Sequence, residues 1–132
     1  MSITNCMSAV ERFFSTFGLP VYPEDNVPDR DAEGEPVRPP YLTVQLTAPT
    51  WQGKAPFFAR LWYRATDYQA IAAKADEIAE AIGEGASVPV TGGALYLYRE
   101  DPFCQFQPFP GDPTLKSAYL SMSLINLTNY PR

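Results

Sequence analysis

Between residues 66 and 83 the apolar positions recur at steps of three and four, a spacing that predicts an amphipathic helix. Thr66 and Gln69 have the spacing of a capping box, so we expect the helix to begin at Thr66 and to end at the left-handed residue Gly83. An apolar stripe of this kind requires a sheet to cover it. The stripe consists of Tyr68, Ile71, Ala72, Ala75, Ile78, Ala79 and Ile82.

Residues 57–64 precede this helix and alternate with a period of two, which predicts a strand. One side of the strand is apolar and suits a core. Arginines on the other side cannot enter an apolar interior without partners, and its large rings are costly to leave in water, so that side is typical of a protein-contacting surface. The apolar side carries Phe57, Ala59, Leu61 and Tyr63, and the mixed side carries Phe58, Arg60, Trp62 and Arg64.

Further periodic segments complete the predicted fold. Leu95 and Leu97 are expected to face the core, which places Tyr96 and Tyr98 on the same outer side as Arg60. The order α-β-β-α-β-β predicts an α+β fold in which a mainly antiparallel four-stranded sheet packs against two helices on one face. The segments are a helix from Thr4 or Asn5 to Phe17, a short kinked approach at 87–90, and strands over 41–47, 94–99 and 117–128.

Residues 24–40 are predicted to form an acidic, proline-rich loop. The part from 24 to 35 holds six acids and Arg30, and it accounts for the whole net charge of −5. A segment with this composition and few apolar residues is expected to be an exposed excursion outside the core. Its acids are Glu24, Asp25, Asp29, Asp31, Glu33 and Glu35.

A second irregular loop is predicted at residues 100–116, which begin with a run of four prolines and three phenylalanines up to Pro113. Two interpretations of its rings stay open. Phe103, Phe106 and Phe109 either form a small cluster that closes the loop, or they are presented to a partner by a segment that proline has already stiffened.

The length of 132 residues predicts one domain, spanning 1–132. The chain has no apolar run of about 18 residues, as a membrane span needs, and its start lacks the basic region of a signal peptide, so a cytoplasmic protein is expected. Cys6 and Cys104 fit no metal-binding spacing and are predicted to be free thiols.

No catalytic site is predicted. The chain has no histidine, so neither a Ser-His nor a Cys-His pair can form. Its glycine pairs do not precede a helix, as a phosphate-binding loop requires, and the acidic loop opposes nucleic-acid binding. We therefore expect no enzyme activity, cofactor or metal. The remaining carboxylate groups, predicted to be ordinary surface, are Asp76, Glu77, Glu80, Glu100 and Asp101.

The succession of segments resembles the tail terminator, or tail completion, proteins of long-tailed bacteriophages and prophages. The segments that carry this resemblance are LPVYPEDNVPD, PYLTVQL, ARLWYRATDYQAIAAKADEIAEAIG, GGALYLYREDPFCQF and SAYLSMSLINLT. Proteins of that family are small α+β domains without an active site. They form a ring, usually hexameric, at the head-proximal end of the tail tube.

The resemblance implies a structural role in virion assembly. The ring would end tube polymerisation and offer a surface for head joining. Its partners would be other copies of the chain, the major tail tube protein and a head-tail neck protein, with DNA only passing through and no membrane involved. The protein would be assembled in the bacterial cytoplasm and end in the virion tail.

Two other functions stay open: a head-tail neck or stopper protein, and a monomeric ligand-binding or regulatory domain. For the ring, the sequence also predicts which residues make the contacts. The six acids of the loop are expected to face the ring lumen or to dock a partner. Subunit or partner contacts are expected at Phe58, Arg60, Trp62, Arg64, Tyr96, Tyr98, Phe103, Phe106 and Phe109.

Overall fold

A computed structural model of the chain describes residues 3–45 and 54–126. The predicted α+β class is confirmed. Residues 46–47 and 127–128, which belong to two of the predicted strands, lie outside these ranges. The elements are α1 (Ile3–Ser15), β1 (Val21–Pro23), β2 (Tyr41–Gln45), β3 (Lys54–Arg64), α2 (Gln69–Ile82), β4 (Ala86–Val90), β5 (Gly93–Pro108) and β6 (Leu115–Asn126).

The six strands form one mixed sheet in the order β1-β2-β3-β6-β5-β4. β1 and β2 are parallel, and every other neighbouring pair is antiparallel. The predicted four-stranded sheet is therefore wrong, because β1 and β4 extend it at both edges. Their sequence signals are weak: β1 has three residues, and β4 contains Pro89, which cannot donate to a ladder.

The predicted loop at 100–116 is mostly strand, which is a second correction. β5 continues to Pro108 and pairs with β6 on both sides of an irregularity between Arg99 and Cys104. Arg99 pairs with Met122 and Cys104 pairs with Leu120, so β5 advances five residues where β6 advances two. Pro102 falls inside this bulge, where a missing amide proton does not break the ladder. Only residues 109–114 connect β5 to β6.

The core lies between one face of the sheet and the buried stripes of both helices. Phe14 of α1 stacks on Phe57 of β3 with ring centres 5.7 Å apart. Most of the predicted inward positions are buried on this one face, as the strand alternation and the helix stripes predict. The exceptions are only partly buried: Phe13, Tyr63, Tyr68, Ala72 and Ala79. The buried residues include Cys6, Val10, Phe14, Phe17, Leu42, Val44, Phe57, Ala59, Leu61, Ile71, Ala75, Ile78, Ile82, Leu95, Leu97, Ala118, Leu120, Met122 and Leu124.

The N-cap of α2 is Tyr68, two residues after the predicted N-cap Thr66. The amide of Gln69 donates to Asp67 Oδ1 at 3.0 Å, so Asp67 rather than Thr66 satisfies the first free amide. A carboxylate is favoured there because it also interacts with the positive end of the helix dipole. At the other end, Gly83 has a φ of 57° and its amide donates to the carbonyl of Ala79 at 2.8 Å, as the sequence predicts.

The acidic segment between β1 and β2 contains a small hairpin-like turn outside the core. The amide of Val37 donates to the carbonyl of Asp29 at 2.9 Å, and the amide of Asp31 donates to the carbonyl of Glu35 at 2.8 Å. Asp31 Oδ1 also accepts from the amides of Glu33 and Glu35, each at 3.0 Å. Its conformation is thus fixed by local hydrogen bonds.

Neither helix within the described ranges has the length and apolar character that crossing a membrane requires.

Candidate functional site

The face of the sheet opposite the two helices, here called the outer face, carries the six predicted strand residues of the interaction surface. Their positions follow from the register, in which Arg60 lies opposite Thr43 on one side and Tyr119 on the other. Because α1 and α2 both pack on the inner face, these side chains face away from the core. The six are Phe58, Arg60, Trp62, Arg64, Tyr96 and Tyr98.

Arg60 is the centre of the outer face. Its guanidinium carbon lies 3.9 Å from the centre of the Tyr119 ring and 4.8 Å from that of Trp62, so the cation is held between two aromatic systems. Glu24 Oε1 forms an ion pair with Arg60 Nη1 at 3.3 Å, and only 16% of the Arg60 side chain is exposed. Arg60 Nη2 also donates to Gln107 Oε1 at 3.4 Å.

Glu24 belongs to this cluster and not to the exposed acidic turn with which the sequence groups it. Its second carboxylate oxygen accepts a hydrogen bond from the hydroxyl of Thr43, which in turn accepts from Trp62 Nε1 at 3.0 Å. Glu24 comes directly after Pro23 of β1, and the pairing of β1 with β2 carries it to Thr43. Glu24 is therefore separate from the five later acids, for which the lumen or docking role stays a prediction.

Two depressions that share three lining residues lie on this part of the outer face. The smaller, of about 40 Å³, is bounded by Glu24, Ala59 and Arg60 together with Gln45, Phe58 and Tyr119. The last three also line a wider, open depression of about 380 Å³. We call the wider depression the amide groove; its lining residues are Gln45, Phe58, Gln105, Gln107, Tyr119 and Ser121.

Arg60 lines the smaller depression, and its Nε is buried and has no hydrogen-bond partner among the described residues. Every other polar contact of the guanidinium is directed towards Glu24 and Gln107. A buried donor without an acceptor costs free energy, so this atom needs an acceptor from outside the described structure.

A second polar cluster lies at the other end of the outer face. Lys54 Nζ lies 3.3 Å from Glu100 Oε1 and 5.1 Å from the centre of the Tyr98 ring. Ser123 Oγ donates to Glu100 at 2.7 Å, and this hydrogen bond, followed by that from Lys54, lowers the pKa of Glu100. Tyr98 pairs opposite Ser123, four residues along β6 from Tyr119, so the tyrosines of β5 are separate from the Arg60 cluster.

The three phenylalanines of the predicted loop have three different environments. Phe103 packs against the core. The Phe106 ring lies 4.7 Å from that of Tyr68, and the Phe109 ring lies 6.1 Å from that of Trp62. The interpretation in which they form one cluster is therefore wrong. Phe106 and Phe109 are about half exposed and are available to a partner.

Arg64 fixes the connection that carries Phe109. Its Nη1 donates to Asp112 Oδ2 and to Thr114 Oγ1, both at 2.8 Å. Hydrogen bonds from Arg64 and then from Thr114 lower the pKa of Asp112 from 3.8 to about 2. Arg64 is thus bound within its own chain. It is less free to pair with a partner than the sequence analysis, which places it among the contact residues, assumes.

The residues considered for catalysis have ordinary surroundings. Cys6 and Cys104 are free thiols, as predicted, and burial raises the pKa of each, which disfavours the reactive thiolate. Asp76, Glu77 and Glu80 are exposed on α2. Within residues 3–45 and 54–126, no group of three or more metal-ligating Cys, Asp or Glu side chains is placed to hold an ion.

Sequence reasoning did not name the polar residues of the outer face as site residues. Thr43 and Gln45 alternate with buried residues of β2, which is a signal for their orientation. Gln105 and Gln107 alternate in the same way within FCQFQP, but the prolines around them favour a loop, so this signal is visible only once the segment is known to be a strand.

Comparisons of the chain with family models, with curated proteins and with solved structures found no match.

Proposed function

We propose that the chain is a tail terminator of a long-tailed bacteriophage or prophage. Six copies form a ring on the head-proximal end of the tail tube, end its polymerisation and offer the surface to which the head joins. The proposal starts from the sequence resemblance. The structural observation that supports it best is the outer face, where Arg60 lies between Trp62 and Tyr119 beside the exposed ring of Phe58.

This composition supports a protein contact because Trp, Tyr and Arg are the residue types that dominate interface energetics. Phe58 has 37% of its surface exposed, while Arg60 and Trp62 are already fixed by neighbouring side chains. Side chains that are ordered before binding lose less conformational entropy when a partner arrives. The outer face is therefore a preorganised surface for another copy or for a tail protein.

The surroundings of the acids and thiols favour a role by contact over catalysis. The thiols have raised pKa values, and the clustered carboxylates of α2 are exposed to solvent. In the proposed ring the acidic turn, with Asp25, Glu33 and their neighbours, faces the lumen or docks a neck protein. Carboxylates in a lumen would repel the phosphates of passing DNA.

Deletion of the gene in the phage or prophage that encodes it tests this function. We expect tail tubes of uncontrolled length and few joined particles in electron micrographs, with both defects restored when the wild-type gene is supplied. Tubes of normal length that fail to join heads would instead indicate the neck or stopper function. Normal, joined particles without the gene would contradict both.

A further inference from the structure

Because Arg60 Nε is buried and has no hydrogen-bond partner among the described residues, we infer that its acceptor comes from another molecule. The cavity of about 40 Å³ beside Arg60 is large enough to admit a small group such as a single oxygen atom. This small cavity adjoins the amide groove through Gln45, Phe58 and Tyr119. A molecule in the groove could therefore place one oxygen at Arg60.

The charge of the site selects a neutral molecule. Arg60 already has a carboxylate partner in Glu24 at 3.3 Å, and none of the lining residues of the amide groove is charged. An anion placed there would leave either itself or Glu24 without a cation in a half-buried site, which is costly. The acceptor oxygen therefore belongs to an uncharged group such as an amide carbonyl.

The shape of the groove fits an extended chain. Its lining residues come from β2, β3, β6 and β5, and neighbouring strands lie about 4.8 Å apart, so the groove spans the width of about four extended residues. Gln45 lies at one end, and Gln105 and Gln107 lie at the other. Glutamine amides have both donors and acceptors, which match the alternating N–H and C=O groups of a peptide backbone.

We propose that the amide groove binds an uncharged, extended segment of another protein, one backbone carbonyl of which accepts a hydrogen bond from Arg60 Nε. The exposed loop of a second copy is a poor occupant because its acids, such as Asp29 and Glu33, would add charge to a balanced site. A glycan fits less well, since Arg60 covers ring faces of Tyr119 and Trp62 on which a sugar would stack. The identity of the partner as a tail protein rests on the proposed function.

The probe is the capped peptide N-acetyl-trialanine N-methylamide, titrated into the ¹⁵N-labelled chain. The readout is the Nε–H cross-peak of Arg60, assigned by its loss in Arg60→Lys, together with the side-chain amide peaks of Gln45 and Gln105. We expect a saturable shift of all three. Sodium acetate and maltotriose, tested at the same concentrations, are expected to leave them unchanged.

Gln105→Ala is expected to weaken probe binding about threefold to tenfold, because one neutral hydrogen bond is lost. Gln69→Ala, an exposed glutamine at the start of α2, is the matched control and is expected to bind as the wild type does. If Arg60→Lys does not fold, selective labelling of arginine and the Gln45→Ala and Gln105→Ala variants carry the test.

Several results would overturn the proposal. If the peptide causes no saturable shift and Arg60 Nε exchanges only with water, the small cavity beside Arg60 holds a structural water and the proposal is wrong. An equal response to acetate would make it an anion site, and a response to maltotriose a glycan site. A shift that grows with protein concentration in the absence of probe would assign the groove to a second copy. None of these results depends on tail length, so failure of the groove and failure of the tail function are distinguishable.

Discussion

The phenol of Tyr96 on β5 lies directly over the α-carbon of Gly85, so that a Cβ at this position would overlap the ring. Gly85 immediately precedes β4, and in the β4–β5 register Tyr96 pairs opposite Ser87. The ring of Tyr96 thus lies over Gly85, two residues before its partner Ser87, where the chain has no side chain. This contact explains why residue 85 is a glycine.

Gly85→Ala is expected to destabilise the domain by about 1–3 kcal/mol, because the added methyl group must displace Tyr96. Gly111→Ala is the matched control: a Cβ there meets nothing within 4 Å, and its effect should stay within about 0.5 kcal/mol. Urea denaturation measures both. In Gly85→Ala combined with Tyr96→Ala, the loss should be smaller than the sum of the two single losses; strict additivity would contradict the contact.

Ile78→Ala is expected to lower the free energy of unfolding by roughly 2 to 5 kcal/mol, since Ile78 is fully buried in α2 and its removal leaves a cavity. Glu80→Ala, on the exposed side of the same helix, is expected to have almost no effect. Equal stabilities in chemical denaturation would refute the orientation of α2.

Lys74→Ala tests a contact that the helix pattern alone does not reveal. On sequence grounds Lys74 belongs to the solvated side of α2, but its Nζ donates to the carbonyl of Phe17 at 2.8 Å and pairs with Glu77. We therefore expect a loss of about 0.5–1.5 kcal/mol, between those of Glu80→Ala and Ile78→Ala. A loss no larger than that of Glu80→Ala would mean that this link between the helices contributes nothing.

Trp62→Ala is expected to weaken ring assembly by about 2 kcal/mol or more. Because Trp62 Nε1 also donates to Thr43, the same variant should lose some fold stability. Phe58→Ala separates the two effects, since that ring is exposed and its removal should weaken assembly without a loss of fold stability. Sedimentation and thermal unfolding of both variants give the two quantities; assembly that is unchanged in both would exclude the outer face as the subunit contact.

The pKa of Asp112 is expected near 2 in a ¹³C titration of its carboxyl group, below the ordinary 3.8. Since the folded pKa is the lower one, the contribution of Asp112 to stability is present above about pH 4 and is lost as the pH falls through about 2. Asp112→Asn should therefore reduce the pH dependence of unfolding in this window only. A titration near 3.8 would contradict the Arg64–Asp112 bond.

The parts of the fold that depend on local periodicity were predictable, and those that depend on long-range pairing were not. Alternation placed Leu61 and Leu120 in the core, and the helix stripe placed Ile78 there, because burial imposes a regular pattern on sequence. The bulge at Pro102 and the edge strand β1 have no such pattern. They exist because a partner strand accepts their backbone hydrogen bonds, which composition does not record.

The same difference applies to the candidate site. The arginines and rings of β3 were visible as an alternation between Phe58 and Arg64. Glu24 was not, since its neighbours in sequence are acids of an exposed turn, whereas its neighbours in space are Thr43 and Arg60. Only the parallel pairing of β1 with β2, a contact between distant segments, gives this carboxylate its place.

Neutralising the exposed acids tests the role of the acidic turn. The variant combines Asp25→Asn, Asp29→Asn, Asp31→Asn and Glu33→Gln, and excludes Glu24 because that residue holds Arg60. We expect it to fold, since Asp31→Asn keeps a side-chain oxygen in the position that accepts two amides of the turn.

The lumen role predicts that rings of this variant retain DNA more strongly at low salt and that the difference disappears as salt screens the charges. The docking role predicts tails that form but do not join heads, with DNA retention unchanged. Electron microscopy of particles and DNA-ejection assays distinguish these results. Wild-type behaviour in both assays would contradict both roles, because the variant removes four of the five negative charges that the turn places outside the Arg60 cluster.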